Sequence, residues 1–188
     1  MIYHLAYKPL LMNSSDILML LPAKWSDYKR FQSLCCVDTV PAVAGPCWIM
    51  ALLAADFSHL IEPEVAFIGY TYAFRNNSVR LAALPELTKM NRRRQMSFLN
   101  RNIRCLTRVM VKPLYRGRGI ASQIIAETLP LVSVPFIECL TFTAGIASIL
   151  SKAGFVNHGR QASGQCDYFL YSRLSADKPI AASQSCQE

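Results

Sequence analysis

The run Val109-Met110-Val111-Lys112-Pro113-Leu114-Tyr115-Arg116-Gly117-Arg118-Gly119-Ile120-Ala121 is the stretch whose residue types and spacing point to a defined chemistry. An apolar, β-branched segment enters a short loop with two glycines, and a segment of helical apolar period follows at once. A strand, turn and helix in that order leave the first N–H groups of the helix without intrahelical partners. They are aimed at one point and backed by the positive end of the helix dipole. Phosphate oxygens suit such a point. Gly117 and Gly119 let the backbone approach an anion closely, and Arg116 and Arg118 add positive charge beside it.

Spacing separates the families that use such loops. The nucleoside-triphosphate pattern G-x-x-x-x-G-K-[ST] is absent, since no Lys follows the glycines at the required place. The dinucleotide pattern G-x-G-x-x-G lacks its third glycine, where Ser122 stands. Glu138 sits about twenty residues on, as a ribose-binding acid would. It falls within its own strand, however, and too little chain follows to complete a doubly wound sheet.

Arg116-Gly117-Arg118-Gly119-Ile120-Ala121 matches [Q/R]-x-x-G-x-[G/A], the acyl-CoA motif of the GCN5-related N-acyltransferases. Val111-x-Pro113-x-Tyr115 is similar to that family's strand-to-loop junction, and Leu150-x-x-Ala153-Gly154-Phe155 to the end of its last helix. The chain resembles this superfamily firmly over Arg104 to Phe155. From Thr107 to Phe155, with Glu-Thr-Leu-Pro and Pro-Phe-Ile-Glu, it looks most like the acetyltransferase domain fused to certain ABC-type ATPases. The resemblance implies an α/β (α+β) fold: one domain over residues 1–174, with a mixed, mostly antiparallel sheet flanked by helices and a parallel strand pair at the acyl-CoA site. It also implies acetyl-CoA, or another acyl-CoA, as co-substrate, no metal, and acyl transfer to a primary amine. Backbone amides of Val109, Met110 and Val111 would hold the thioester carbonyl and pantetheine arm. Those of Gly117, Arg118, Gly119, Ile120, Ala121 and Ser122, with Arg116, would hold the pyrophosphate.

The chain departs from the family where protons are handled. The customary Tyr before the closing Gly-Phe is Leu150, and the customary Asn near the start of that helix is missing around Ala144 and Gly145. Glu138 is the first candidate base, because a carboxylate in an apolar strand has its pKa raised. A Glu ion-paired to the basic segment upstream is an equal alternative. Tyr168 leads the candidate acids, with Tyr171 and Ser151 behind it. The missing Tyr keeps a second class open, a non-catalytic nucleic-acid-binding or regulatory module on the same fold.

These residues need a scaffold, and the 188-residue chain is long enough for one core without disulfides or metal. Hydrophobic residues make up 52%, which excludes intrinsic disorder. The seven cysteines, Cys35, Cys36, Cys47, Cys105, Cys139, Cys166 and Cys186, are odd in number and hold no C-x-x-C pair. Neither a zinc site nor a disulfide framework is expected. His4, His59 and His158 are isolated, and Asn157-His158-Gly159 reads as a turn. No signal peptide or spanning helix is expected at the start, so the chain reads as a soluble cytoplasmic protein.

Helices are expected before Leu34 from Ile17, Leu18 and Leu21 and then Trp25, Tyr28 and Phe31. Strands are expected at Cys47–Ala55, Glu64–Phe74, Cys105–Val111, Phe136–Phe142 and Cys166–Arg173, with a hairpin loop over Asp56–Pro63. Helices are expected at Ile120–Leu129 and Ala144–Ala153, the second ended by Gly154, and residues 175–188 read as a frayed tail.

The net charge of +8 is uneven: between Glu86 and Glu127 ten Lys and Arg stand with no acid, so the rest of the chain carries −2. Part of this block lies in residues 75–102, read as a long basic connection with a short helix from Glu86 to Phe98. Arg92, Arg93, Arg94 and Arg101, with Phe98 as a stacking ring, are the candidate contacts to an anionic acceptor such as DNA or RNA. The bland alternative is a solvated basic face.

Overall fold

The computed structural model describes residues 17–34, 41, 44–53, 64–160 and 166–176. Seven strands form one sheet: β1 (Ile17–Pro22), β2 (Ala44–Leu53), β3 (Glu64–Tyr72), β4 (Ile103–Val111), β5 (Phe136–Thr141), β6 (Val156–Arg160) and β7 (Asp167–Ser172). Their order is β1-β2-β3-β4-β5-β7-β6. Every neighbouring pair is antiparallel except β4 and β5, which run parallel. Helices α1 (Ser78–Ala83), α2 (Arg92–Asn102), α3 (Ile120–Thr128), α4 (Ala144–Lys152) and α5 (Arg173–Ala176), with 3₁₀ helices at Trp25–Leu34, Pro85–Lys89, Pro113–Tyr115 and Leu129–Leu131, complete the described elements. No helix among the described residues is long and apolar enough to cross a membrane.

The N-terminal expectation is corrected. Ile17 to Pro22 is a strand paired with β2, not a helix. Leu18 and Leu20 are buried and Leu21 is exposed, a period of two that pairing with β2 reads out and that the short apolar run disguised. Trp25–Leu34 is a 3₁₀ helix. Trp25, Tyr28 and Phe31 are three apart, so at three residues per turn they stack into one ridge. That ridge lies on Phe67, with ring centroids at 5.7, 5.8 and 5.9 Å. The expected loop Asp56–Pro63 lies outside the described residues, as does the tail beyond Ala176.

The basic connection is not a loop. Asn77 Oδ1 accepts from the Val79 and Arg80 amides at 3.1 and 3.2 Å, opening α1. Asn91 Oδ1 accepts from the Arg94 amide at 3.0 Å, opening α2. These asparagine caps are the signals that mark two helices here. Leu84, Leu87 and Leu99 from this segment pack on Ile103, Tyr168 and Leu170, covering one face of the sheet. The opposite face carries α3 and α4 through Ile120, Ile124, Ile125 and Leu150 against Ile68, Tyr70, Leu106 and Ile137.

A bulge sets which side chains of β4 meet which face. Gly69 pairs with Arg108 and Tyr70 with Leu106, leaving Thr107 as the extra residue. Leu106, Val109 and Val111 therefore share the face under α3, while Met110 turns to the aromatic ridge. A strand absent from the sequence reading is β6, where a turn was expected around His158. It is an exposed edge strand paired with β7, with Gly159 at φ +96° in its irregular stretch. Gly154 ends α4 at φ +90°, a left-handed position that an L side chain occupies only with strain.

Candidate cofactor cleft

The parallel pair is short. Ile103, Arg104 and Cys105 pair with Phe136, Ile137 and Glu138, and there the two strands part. Strand β4 runs on to Val111 against β3, and β5 runs on to Thr141 against β7. Beyond Cys105 the backbone of β4 on its β5 side has no strand partner, so its amides face a gap in the sheet.

At the mouth of that gap the chain turns through Pro113–Tyr115 into the glycine loop. Gly117 and Gly119 both adopt positive φ, +76° and +79°. Gly119 is the N-cap of α3 and offers no side chain to its amides. The helix begins with the Gln123 amide bonding Gly119 O at 3.0 Å, which leaves the amides of Ile120, Ala121 and Ser122 without intrahelical acceptors. A Cβ placed on Gly117 or Gly119 meets nothing within 4 Å, so the loop borders open space.

That space is a cleft of about 700 Å³, lined by Val109, Met110 and Val111, by the loop, and by Thr143, Gly145 and Ile146 at the start of α4. Two helix N-termini, of α3 and α4, thus border one cavity, and both dipoles favour negative charge there. Arg116 lines the cleft and its Nε also donates to Val111 O at 3.1 Å, bracing the loop on the strand it follows. Arg118 is exposed and is not among the lining residues. The other nine residues singled out for the cofactor do line it. The residues present suit a pyrophosphate and a pantetheine arm: backbone donors, positive helix ends, an arginine and an apolar wall from Leu34, Ile146 and Ile149. Acetyl-CoA, or an acyl-CoA of the same build, has this shape and charge.

Glu138 and Tyr168 come together, but elsewhere. Glu138 is fully buried and takes a two-point ion pair from Arg80 of α1, with Nε to Oε2 and Nη2 to Oε1 both at 2.7 Å. Tyr168 donates its hydroxyl to Glu138 Oε2 at 3.1 Å. Burial would lower the Arg80 pKa, but the carboxylate outweighs it and holds the guanidinium above its ordinary value. Burial first, and then the charge of Glu138, push the Tyr168 phenol far up, so it remains a donor. Neither Glu138 nor Tyr168 lines the cleft. Of the two readings of Glu138, the geometry matches the ion pair with the basic segment, because α1 delivers Arg80 directly onto it. Leu150, at the position of the customary acid, is buried in the core. Ser151 is exposed on α4, and Tyr171 packs on Phe155 with centroids 5.5 Å apart.

Arg92, Arg93, Arg94 and Arg101 are exposed along α2, outside the cleft, and Arg92 Nη2 donates to Asn76 Oδ1 at 3.1 Å. Phe98 does not serve as an open stacking ring: it lies against Phe136, with centroids 6.3 Å apart. Sequence reasoning missed Arg80 and the α4 wall of the cleft. The capping Asn77 was the available signal for the first, and nothing local marks the second. Among the described residues no group of three or more His, Cys, Asp or Glu stands close enough to hold a metal ion.

No family profile matches the sequence, and no curated protein gives a significant match. Solved structures do match. Arabidopsis thaliana NAA60 in complex with acetyl-CoA superposes with a TM-score of 0.58 at 13% identity, over 84% of this chain and 99% of that one. The chain has a GCN5-related N-acyltransferase fold. Aminoglycoside acetyltransferase AAC(6')-Ib, with coenzyme A and kanamycin, matches at a TM-score of 0.52 and 10% identity, over 84% of this chain and 96% of that one. AtaT, complexed with acetyl-methionyl-tRNAfMet, matches at 0.50 and 10%, over 85% and 96%. At such identities the likeness speaks to the fold.

Proposed function

We propose that this chain is an acyl-CoA-dependent N-acyltransferase that moves an acetyl group to a primary amine by direct attack. One observation carries the reading: the parallel strands part after Cys105 and Glu138, and the gap opens onto a positive-φ glycine loop at a helix N-terminus. When bound, acetyl-CoA supplies an activated carbonyl. The amine nitrogen bonds to it, the carbon–sulfur bond breaks, CoA leaves as thiolate, and the proton lost by nitrogen restores the thiol. Backbone amides of Val109 to Val111 would face the oxyanion; one such fixed donor is worth about 2.7–4 kcal/mol in catalysis. The loop amides, Arg116 and the two helix ends would hold the phosphates.

No carboxylate or imidazole lines the cleft among the described residues. The amine therefore has to arrive neutral or release its proton to solvent at the cleft mouth. The same observation favours a second reading, a binding or regulatory module that keeps the fold without the chemistry. Within the enzyme reading, the run from Thr107 to Phe155 points toward the kind of acetyltransferase fused to ABC-type ATPases, acting in the cytoplasm. The exposed arginines Arg92, Arg93, Arg94 and Arg101 along α2 support an anionic acceptor, with DNA or RNA the foremost class.

Mass spectrometry of the protein incubated with acetyl-CoA and mixed amine acceptors, including polyamines, peptides, DNA and tRNA, decides between these readings. Acceptors heavier by one acetyl group support the transferase. Acetyl-CoA binding with no acetylated product supports the module, and no acetyl-CoA binding with no product overturns the transferase.

A further inference from the structure

A second hollow borders β4 at its bulge, immediately before the stretch that lines the cofactor cleft. Thr107 and Arg108 line a depression of about 520 Å³ together with Thr71, Tyr72, Phe74 and Arg75, while Val109 to Val111, next on the same strand, line the cofactor cleft. A smaller hollow continues from it through the shared Arg75 to Asn76 and Arg92. Among the described residues neither hollow has an acidic lining residue. A polyamine, an aminoglycoside or a lysine-rich peptide would meet only like charge on these described lining residues.

Two rings stand open to solvent at this place. Phe74 is 52% exposed and Tyr72 37%. The Arg104 guanidinium lies 4.2 Å from the centroid of the Tyr72 ring, a planar cation stacked on an aromatic face. Nearby, Arg92, Arg93 and Arg94 fill the first turn of α2, where the helix dipole opposes positive charge and no acid offsets them. Apart from the Arg92 bond to Asn76 Oδ1, the helix end gains nothing from three positive charges there. A polyanion laid across them would.

We propose that this bipartite surface docks a single-stranded stretch of nucleic acid, with an unpaired base stacked on Phe74 and Tyr72 and its phosphates on Arg75 and Arg92. Exposed rings beside arginines suit an unpaired base, since every base has a π face and a duplex hides it. Because Arg108 and Val109 are neighbours on β4, the bound nucleic acid lies next to the cofactor cleft and is the amine acceptor, a role that rests on the transferase reading. The docking itself does not.

Fluorescence anisotropy tests it, using the full chain with labelled single-stranded RNA, single-stranded DNA, duplex DNA and an oligoglutamate of matched charge, over a salt series. Single strands are expected to bind more tightly than duplex or oligoglutamate. Phe74→Ala should weaken single-strand binding by about fivefold or more, and Phe74→Trp should restore it. Arg75→Ala should flatten the salt slope by about 0.7. Circular dichroism confirms that each variant is folded. Equal binding of oligoglutamate, preference for duplex, no binding, or a folded Phe74→Ala protein of unchanged affinity overturns the proposal. Calorimetry with acetyl-CoA on the same sample separates the two readings. Acetyl-CoA bound without nucleic acid overturns this docking alone, and nucleic acid bound without acetyl-CoA supports it while overturning the transferase.

Discussion

Arg80→Met removes one half of an ion pair in which the side chains are 2% and 0% exposed. It leaves the Glu138 carboxylate buried with the Tyr168 hydroxyl in place of two guanidinium bonds at 2.7 Å. Stripping one partner from such a pair costs about 3–5 kcal/mol, because the remaining charge stays out of water. In a chain of this size about 1 kcal/mol moves the melting temperature by about 2–4 °C, so a fall of about 6–20 °C is expected. Replacing the whole cluster, Arg80→Met with Glu138→Leu and Tyr168→Phe, leaves nothing polar unpaired, and its stability should return to near that of the parent. Thermal and urea denaturation followed by circular dichroism measure this. A single-variant loss under about 1 kcal/mol, or a triple variant no more stable than Arg80→Met, refutes the reasoning. Acetyl transfer by the triple variant then decides the chemistry. A folded triple variant that binds acetyl-CoA and still transfers acetyl shows the cluster to be architectural. One that binds acetyl-CoA but is inactive returns Glu138 to the role of base.

Gly119→Val forces a β-branched residue into φ +79° and projects carbon into the open space before α3. Stability should fall by about 1–2 kcal/mol from the left-handed backbone, and acetyl-CoA binding by calorimetry should be lost; an unchanged affinity would sink the loop assignment. Deleting Thr107 removes the bulge but leaves Leu106, Arg108, Val109 and Met110 opposite Tyr70, Gly69, Ile68 and Phe67 on the faces they already hold, so the variant should stay folded by circular dichroism, and insoluble protein would contradict this register. Burial, assisted by Glu138, pushes the Cys139 thiol from 9.0 up to about 12. Burial with Asp27 pushes Cys47 up to about 11. The unfolded chain loses these protons first, so their contribution is complete below about pH 9 and drains away as pH climbs through the folded-state values. Urea midpoints should fall on the alkaline side, and a midpoint that holds steady from pH 9 upward contradicts this.

Much of the cofactor side was legible because its signals are local. Gly117 and Gly119 need positive φ, and Ile120, Ile124 and Ile125 mark a helix by their period whatever packs on them. Strands β3, β4 and β5 announced themselves by β-branched and aromatic runs. The basic connection was misread because its helices are short and polar and declare themselves only through the caps Asn77 and Asn91. At β1, six residues cannot reveal their period until β2 lies beside them. At β6, a fully exposed edge offers no apolar pattern at all.

Sequence alone determined that an anion-binding turn stands between a strand and a helix, because backbone conformation at glycine and the order of elements are properties of neighbouring residues. It also determined that positive charge is concentrated in one block of chain. Tertiary structure decided what these features face. Only parallel pairing over three residues, Ile103 to Cys105, makes β4 and β5 part and open the cleft. Only the burial of Arg80 on Glu138, 58 positions apart, turns a candidate base into half of an ion pair. Only the bulge at Thr107 puts Arg108 beside Phe74 and Arg75 in one hollow and Val109 to Val111 in the next. Each of these is a contact between distant segments, set by packing and register, and no window of neighbouring residues carries it.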